Sequence, residues 1–282
     1  MSETKVIPTQ FLRSNTDISN LPVIHTWQSI VWHQPLITPK SPSTSSVKYR
    51  IKQQTTAVQP KPIGTFVTSQ SKVTAHNSGQ LMCTMQSSAL VLGIDPEAVI
   101  SFDAGIPRLT QRVKGSSKAR RLQGKSPSFQ WTYTTSRSQA LLYRMASGDS
   151  NHIHVDTSAS EMLGIDKKAP LLHGLFTLAL VYRAIVKLFD SPAGSIFLNG
   201  CDKESEYDLF FRKLEGAFKK PAFVGDSLCV KIWVDDEMPA ISKTNGDAKK
   251  FLFIVTNHNT GAILIDNGAA EVEVIKKLSS KL

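Results

Sequence analysis

Cysteine is scarce in this 282-residue chain: Cys83, Cys201 and Cys229 are the only three, far apart and without a Cys-x-x-Cys pair. An odd number at such spacing supplies neither a disulfide framework nor a thiolate metal cage, so the three read as reduced core or strand residues. Long hydrophobic runs are also missing. The most apolar stretch, Leu171–Tyr182, is broken by His173 and Gly174 and falls short of the roughly 20 residues that cross a bilayer. No basic, apolar and small-residue signal opens the chain, so the sequence predicts a soluble protein with no membrane span. Acidic residues are the minority: 23 Asp and Glu stand against 33 Lys and Arg, a net charge of +10 and a pI near 9.5. That balance suits a phosphate-bearing partner. No helix-turn-helix spacing, zinc-finger pattern or aromatic RNA-binding motif accompanies it, so nucleic acid is not the expected partner.

What is present is concentrated in one segment, Tyr143-Arg-Met-Ala-Ser-Gly-Asp-Ser-Asn-His-Ile-His154, followed by Leu172-His-Gly-Leu-Phe176. It sets the Asp149 carboxylate and the His154 imidazole five residues apart in a polar turn, ahead of a long apolar helix that begins with a glycine. Carboxylate and imidazole both exchange protons near neutral pH, so the pair is a candidate acid/base site. Gly-Asp-Ser-Asn taken alone is ordinary turn chemistry. It is the whole pattern that carries the reading.

That pattern resembles the hydratase signature of the MaoC-like (R)-specific enoyl-CoA hydratases, which runs approximately Ser-Gly-Asp-x-Asn-Pro-x-His and then His-Gly at the head of the central helix. Ser147, Gly148, Asp149, Asn151 and His154 fit the first part, and His173-Gly174 the second. Gln139-Ala-Leu-Leu-Tyr-Arg144 and Phe218-Lys-Lys-Pro-Ala-Phe-Val-Gly-Asp-Ser-Leu228 also resemble stretches of that family, most closely of the hydratase unit of peroxisomal multifunctional β-oxidation enzymes. Together the matches cover most of residues 126–275. The resemblance implies an α+β double hot-dog fold, an antiparallel sheet wrapped round a central helix, with the N-terminal hot dog degenerate or truncated.

The residue pattern divides the chain in a compatible way. Residues 104–126 are rich in Gly, Ser, Arg and Lys without apolar periodicity and read as a connector. Before it, Val47–Thr56, Gly64–Ala75 and Gln80–Gly93 read as strands, the last two joined at Asn77-Ser-Gly79 as a hairpin. After it, Phe129–Thr135 reads as a strand, Ser136–Ala146 as a short helix capped by Thr135 or Ser136, and Leu171–Phe189 as a buried helix. Ser195–Asn199, Leu209–Phe218, Ser227–Val234, Phe251–Asn257 and Ala262–Ile275 complete a run of strands. The division is thus 1–103, a degenerate hot-dog half; 104–126, a basic connector; 127–279, the catalytic half; and 280–282, a targeting tripeptide. Leu21-Pro-Val-Ile-His25 through Gln34-Pro-Leu36 and Ser87–Gly93 resemble N-terminal strands of the family, but only about twenty residues precede the first match, too few for the strand and helix that normally open that half. Either this copy has lost its helix or another chain covers its sheet.

The resemblance implies addition of water to a trans-2-enoyl-CoA, giving a (3R)-3-hydroxyacyl-CoA, or the reverse dehydration. Asp149 and His154 would be the catalytic dyad. Asn151 would orient the water or the dyad, and the Gly174 N–H at a helix start would hold the developing oxyanion. Ser147 and Gly148 would shape the turn that aims the dyad, and His25, Ser147, Ser150 and Phe218 are implied substrate contacts. His173 reads as structural rather than catalytic. No metal and no cofactor is expected beyond the coenzyme A of the substrate, whose phosphates a basic rim would attract. Ser280-Lys281-Leu282 is the tripeptide read by peroxisomal import receptors at a free C-terminus, which predicts a peroxisome as the location. A homodimer is the expected assembly. A hot-dog acyl-CoA thioesterase and a catalytically silent acyl-CoA-binding subunit are the alternatives. Departures from the family pattern are His152 where a proline is usual, Thr26 after His25 where glycine is usual, and extra residues between Gly164 and Leu171 and before Ser147.

Overall fold

The computed structural model describes residues 7–13, 21–34, 48–106, 122, 124–149, 151–157, 169–194, 207–235 and 248–276. The chain forms two compact units, Met1–Arg112 and Val113–Leu282.

The first unit is built from β-branched and alternating segments that pair as a meander. Its strands are β1 (Val23–Trp32), β2 (Tyr49–Lys61), β3 (Gly64–Ala75), β4 (Leu81–Val91) and the short β5 (Phe102–Asp103). All pair antiparallel in the order β5-β2-β3-β4-β1. β3 and β4 form the hairpin expected around Asn77-Ser-Gly79, with the Gly79 N–H closing the turn on the Ala75 carbonyl at 2.9 Å. One core gathers Val58, Val67 and Val91 of the sheet with Ile7, Phe11, Ile94 and Val99. Among the described residues this unit has no α-helix, only 3-10 turns at Thr9–Phe11 and Pro96–Ala98.

The second unit combines α-helices with strands. In chain order it contains β6 (Phe129–Thr134), α1 (Arg137–Ser147), α2 (Gly174–Asp190), β7 (Tyr207–Phe218), β8 (Ser227–Val234), β9 (Ala248–Asn257) and β10 (Ile263–Lys276). The strands are antiparallel in the order β7-β10-β9-β8-β6. α2 packs against β6, β7 and β8. Its residues Leu178, Val181, Ala184, Ile185, Leu188 and Phe189 are buried, as are Leu228, Ile232, Phe251, Phe253 and Val255 of the sheet. Burying such a side chain stabilises a fold by about 1.5–3 kcal/mol. A helix cradled in an antiparallel sheet is the hot-dog arrangement.

Three differences from the sequence reading have physical causes. α2 starts at Gly174 rather than Leu171, because Leu171 pairs with Phe223 and the Leu172 N–H bonds the Ala222 carbonyl at 2.8 Å. The helix is not buried all round: Tyr182, Arg183 and Lys187 form an exposed stripe. The described part of the connector carries an anchor, Leu122, which packs on Trp233 and Ile254, while the Trp233 indole N–H donates to the Lys125 carbonyl at 3.1 Å. Cys83 and Cys229 are buried free thiols. The expected strand Ser195–Asn199 lies outside the described residues.

Candidate active site

α1 is fixed at both ends. At its start Ser136 and Gln139 form a capping box: the Gln139 N–H donates to Ser136 Oγ at 3.4 Å, and the Ser136 N–H donates to Gln139 Oε1 at 2.9 Å. The Gln139 amide also donates to the Tyr133 hydroxyl. At its end Gly148 takes a left-handed conformation, φ +69°, and its N–H bonds the Arg144 carbonyl at 2.9 Å. That reversal delivers Asp149 at the end of the helix.

From there the chain is held by side chains that accept backbone N–H groups two residues on. The Asp149 N–H donates to Ser147 Oγ at 3.3 Å, the Asn151 N–H to Asp149 Oδ1 at 3.0 Å, and the Ile153 N–H to Asn151 Oδ1 at 3.4 Å. Such local bonds favour tight turns over helix, and here they produce the 3-10 turn His152–His154 with Asn151 as its cap. Ile153 anchors the turn by packing with Leu171 and Phe223, and the Leu171 N–H bonds the Ile153 carbonyl at 3.0 Å.

His154 is 8% exposed, and its Nδ1 lies 2.9 Å from the Leu171 carbonyl. A carbonyl oxygen only accepts, so Nδ1 carries the hydrogen and the neutral ring has its lone pair on Nε2. Nε2 faces Asp149 Oδ2 at 3.8 Å. Burial, followed in the same direction by the Arg144 charge, pulls the His154 pKa below the ordinary imidazole value of 6.5; the Leu171 hydrogen bond and the Asp149 charge oppose this without reversing it. The result is a neutral imidazole and a half-exposed carboxylate facing each other as two acceptors. They cannot bond each other. A water donating to both would lie about 2.8 Å from each and complete the pair.

His173, the residue before α2, joins this site. Its Nε2 is 3.9 Å from the same Asp149 Oδ2, and its ring stacks on that of His154 with centroids 3.7 Å apart and planes 21° apart. Tyr143 of α1 packs against His173, its ring 4.8 Å from that imidazole and 5.7 Å from Phe176. Burial and the Asp149 charge raise the Tyr143 pKa above 10, so its phenol stays protonated. Gly174 follows His173 and opens α2, where backbone N–H groups lack intrahelical acceptors and the helix dipole is positive. One donor atom each from Asp149, His154 and His173 lies within 4.8 Å of the others, a set that offers metal-ligand chemistry. Both Nε2 atoms face the same carboxylate oxygen, Asp149 Oδ2.

The structure therefore gathers Ser147, Asp149, Asn151, His154 and the head of α2 at Gly174. Phe218 is half-buried at the end of β7, opposite Ile265. His25 is half-buried on β1 of the first unit, beside a bulge and opposite Ala89. Ser150 and Ser280, Lys281 and Leu282 lie outside the described residues. Sequence reasoning left out His173 as a site member, together with Tyr143 and the Leu171 carbonyl. The His-Gly pair did flag the position of His173.

Residues 118–252, most of the second unit, match the MaoC like domain. Over 145 residues the chain is 28% identical to a protein of Dictyostelium discoideum named probable enoyl-CoA hydratase 2, covering 51% of this chain and 40% of that one. It is 35% identical over 103 residues to the peroxisomal multifunctional enzyme type 2 of Drosophila melanogaster, covering 36% of this chain and 14% of that one. The chain thus spans well under two thirds of either relative. The crystal structure of a MaoC-like dehydratase from Phytophthora capsici superposes with a TM-score of 0.57 at 23% identity, covering 92% of this chain and 72% of that one. This likeness extends over both units and shows the fold: a double hot dog, with the first half reduced to a sheet without an α-helix among the described residues.

Proposed function

We propose that the chain hydrates trans-2-enoyl-CoA reversibly to (3R)-3-hydroxyacyl-CoA. The observation that carries the reading is the facing pair of acceptors, His154 Nε2 and Asp149 Oδ2, 3.8 Å apart beside the start of α2. A water donating to both presents its own lone pair outward. As its oxygen bonds C3 of the enoyl thioester, the dyad accepts one water proton. The electron pair of the double bond moves onto the thioester oxygen, where the Gly174 N–H stabilises the charge. The dyad then returns a proton to C2. Atoms and charge balance with no change of oxidation state, so no metal or redox cofactor is required, and exhaustive dialysis against a chelator leaves the rate unchanged.

Asn151 supports this chemistry by holding the turn that aims both groups. The coenzyme A phosphates match the positive charge of the chain, and the acyl-CoA thioester is the proposed substrate. The name of the Drosophila relative and the Ser-Lys-Leu tripeptide favour action in a peroxisome, with the import receptor as partner and fatty-acyl chains as the acyl groups we infer. A homodimer is the assembly we infer, which light scattering of the purified chain tests directly.

The deciding experiment follows loss of enoyl-thioester absorbance on mixing purified protein with trans-2-enoyl-CoAs of several lengths, with product chirality determined. A (3R) product establishes the hydratase. Release of free coenzyme A would instead mark a thioesterase, and binding without turnover a silent subunit.

A further inference from the structure

The hydratase reading uses Asp149 and His154 but leaves unexplained a third titratable side chain packed against both. His173 is 2% exposed, so it is shielded from a substrate as well as from water. Its ring lies flat on that of His154, centroids 3.7 Å apart, and its Nε2 stands 3.9 Å from the oxygen that His154 faces. From α1 the Tyr143 ring packs on it at 4.8 Å, and Arg144 adds its charge nearby. From the loop comes Asp149, and from the 3-10 turn His154. The Leu171 side contributes a carbonyl, already engaged by His154 Nδ1.

We propose that His173 is a positioning residue of the dyad: its stacked imidazole fixes the plane of His154, and the two rings together with Asp149 accept a single proton as one unit. This role rests on the hydratase reading for its catalytic consequence but not for its geometry. One face of His154 is set by the stack and one edge by the Leu171 carbonyl, and these two constraints leave the ring little freedom to turn Nε2 away from Asp149. Two imidazolium ions 3.7 Å apart in a buried site repel strongly, so a second proton is disfavoured once the first has bound. When His154 takes the water proton, the charge is held between a carboxylate at 3.8 Å and a neutral ring. His173 thereby keeps the dyad at one proton during turnover, and its loss both loosens the base and removes the coupling. A misplacement of about 1 Å at a reacting group costs up to about 10²-fold in rate.

Two variants separate these contributions. His173→Phe keeps a stacking ring without a nitrogen, and His173→Asn keeps polarity without the ring. In both, kcat for enoyl-CoA hydration is expected to fall about 10- to 100-fold with KM changed less than about 3-fold, since the residue orients a base rather than binding substrate. NMR titration of histidine ring protons gives a readout that needs no activity. In the wild-type chain the His154 and His173 signals should move in two linked steps. In His173→Phe the His154 signal should move in one. Independent single-step titration of the two rings in the wild type overturns the proposal, as does an unchanged kcat in a folded His173→Asn chain. If the wild type hydrates no enoyl thioester, the hydratase reading fails, while the linked titration still decides whether the two imidazoles act as a unit. Should one variant not fold, the other and the wild-type titration carry the test.

Discussion

Asp149 and Asn151 divide the two oxygens of one carboxylate between structure and chemistry: Oδ1 accepts the Asn151 N–H at 3.0 Å, which leaves Oδ2 directed at the imidazoles. Asp149→Asn alters both. An amide that keeps its oxygen toward Asn151 presents NH₂ to His154, so the water loses an acceptor. The expected loss in kcat is about 10²–10⁴-fold, the usual contribution of a positioned acid/base group, with substrate binding largely retained. Steady-state hydration kinetics check it, and a variant within about 3-fold of wild type would remove Asp149 from the dyad.

The pH dependence follows from His154. Its folded pKa lies below 6.5, chiefly through burial. With the neutral ring as the proposed base, kcat/KM should hold through pH 6.5 and fall only as pH drops through that lowered value. The stability consequence has the same direction. A base with a depressed folded pKa gives a contribution fully present above its unfolded value and lost as pH falls from there through the folded one, because the unfolded chain binds the proton more readily. Hydration rates and thermal melts measured between about pH 5 and 8 check both arms. An acid limb centred above pH 6.5 contradicts the assignment.

Much of this site was legible in the sequence. Ser147, Asp149 and Asn151 are spaced so that each short polar side chain accepts a backbone N–H two residues on, and that local rule gives the turn without tertiary information. The strands were legible because alternation and β-branching persist for ten residues or so, as in β3 and β8. Leu171 was not. A short apolar run reads equally as helix or strand, and its partner Phe223 is far along the chain. The tautomer of His154 depends on that same Leu171 carbonyl, a group every residue carries and no sequence signal marks. His173 looked structural because its role is a ring stack, which exists only after α2 and the 3-10 turn meet.

Gly148 links the helix to the dyad through its left-handed backbone. An added Cβ would meet nothing within 4 Å, so only the φ of +69° resists substitution. Gly148→Ala should destabilise the chain by about 1–2 kcal/mol, and Gly148→Asn by less, because asparagine tolerates that conformation. Denaturant melts give the ranking. Equal losses for the two variants would point to packing rather than backbone conformation.

Thr135 supports the site from behind. It is buried, its hydroxyl donates to the Asp226 carbonyl at 3.0 Å and accepts the Gly225 N–H at 3.0 Å. The turn so held carries Ala222, Phe223 and Val224, whose backbone groups bond Leu172 and Pro170 or pair with Leu171. Thr135→Val keeps the shape and deletes both bonds, at an expected loss of about 1–3 kcal/mol for unsatisfied buried groups. Because Leu171 orients His154, kcat should drop along with Tm. A lowered Tm with kcat unchanged would show that the 169–172 segment holds His154 without this turn.

The peroxisomal address proposed for Ser280-Lys281-Leu282, which requires that tripeptide at a free C-terminus, makes a prediction independent of the chemistry. A receptor that reads a free C-terminal tripeptide requires the last carboxylate and the Leu282 side chain, so a single-residue deletion should abolish recognition while leaving both folded units intact. With a fluorescent protein fused to the N-terminus, the full chain should coincide with a peroxisomal marker, and the chain lacking Leu282 should spread through the cytosol. The purified deletion variant should keep the hydration rate of the full chain, which separates address from activity. Continued coincidence with the marker after the deletion would mean that the tripeptide is not the address and that import relies on another segment or on a co-imported partner.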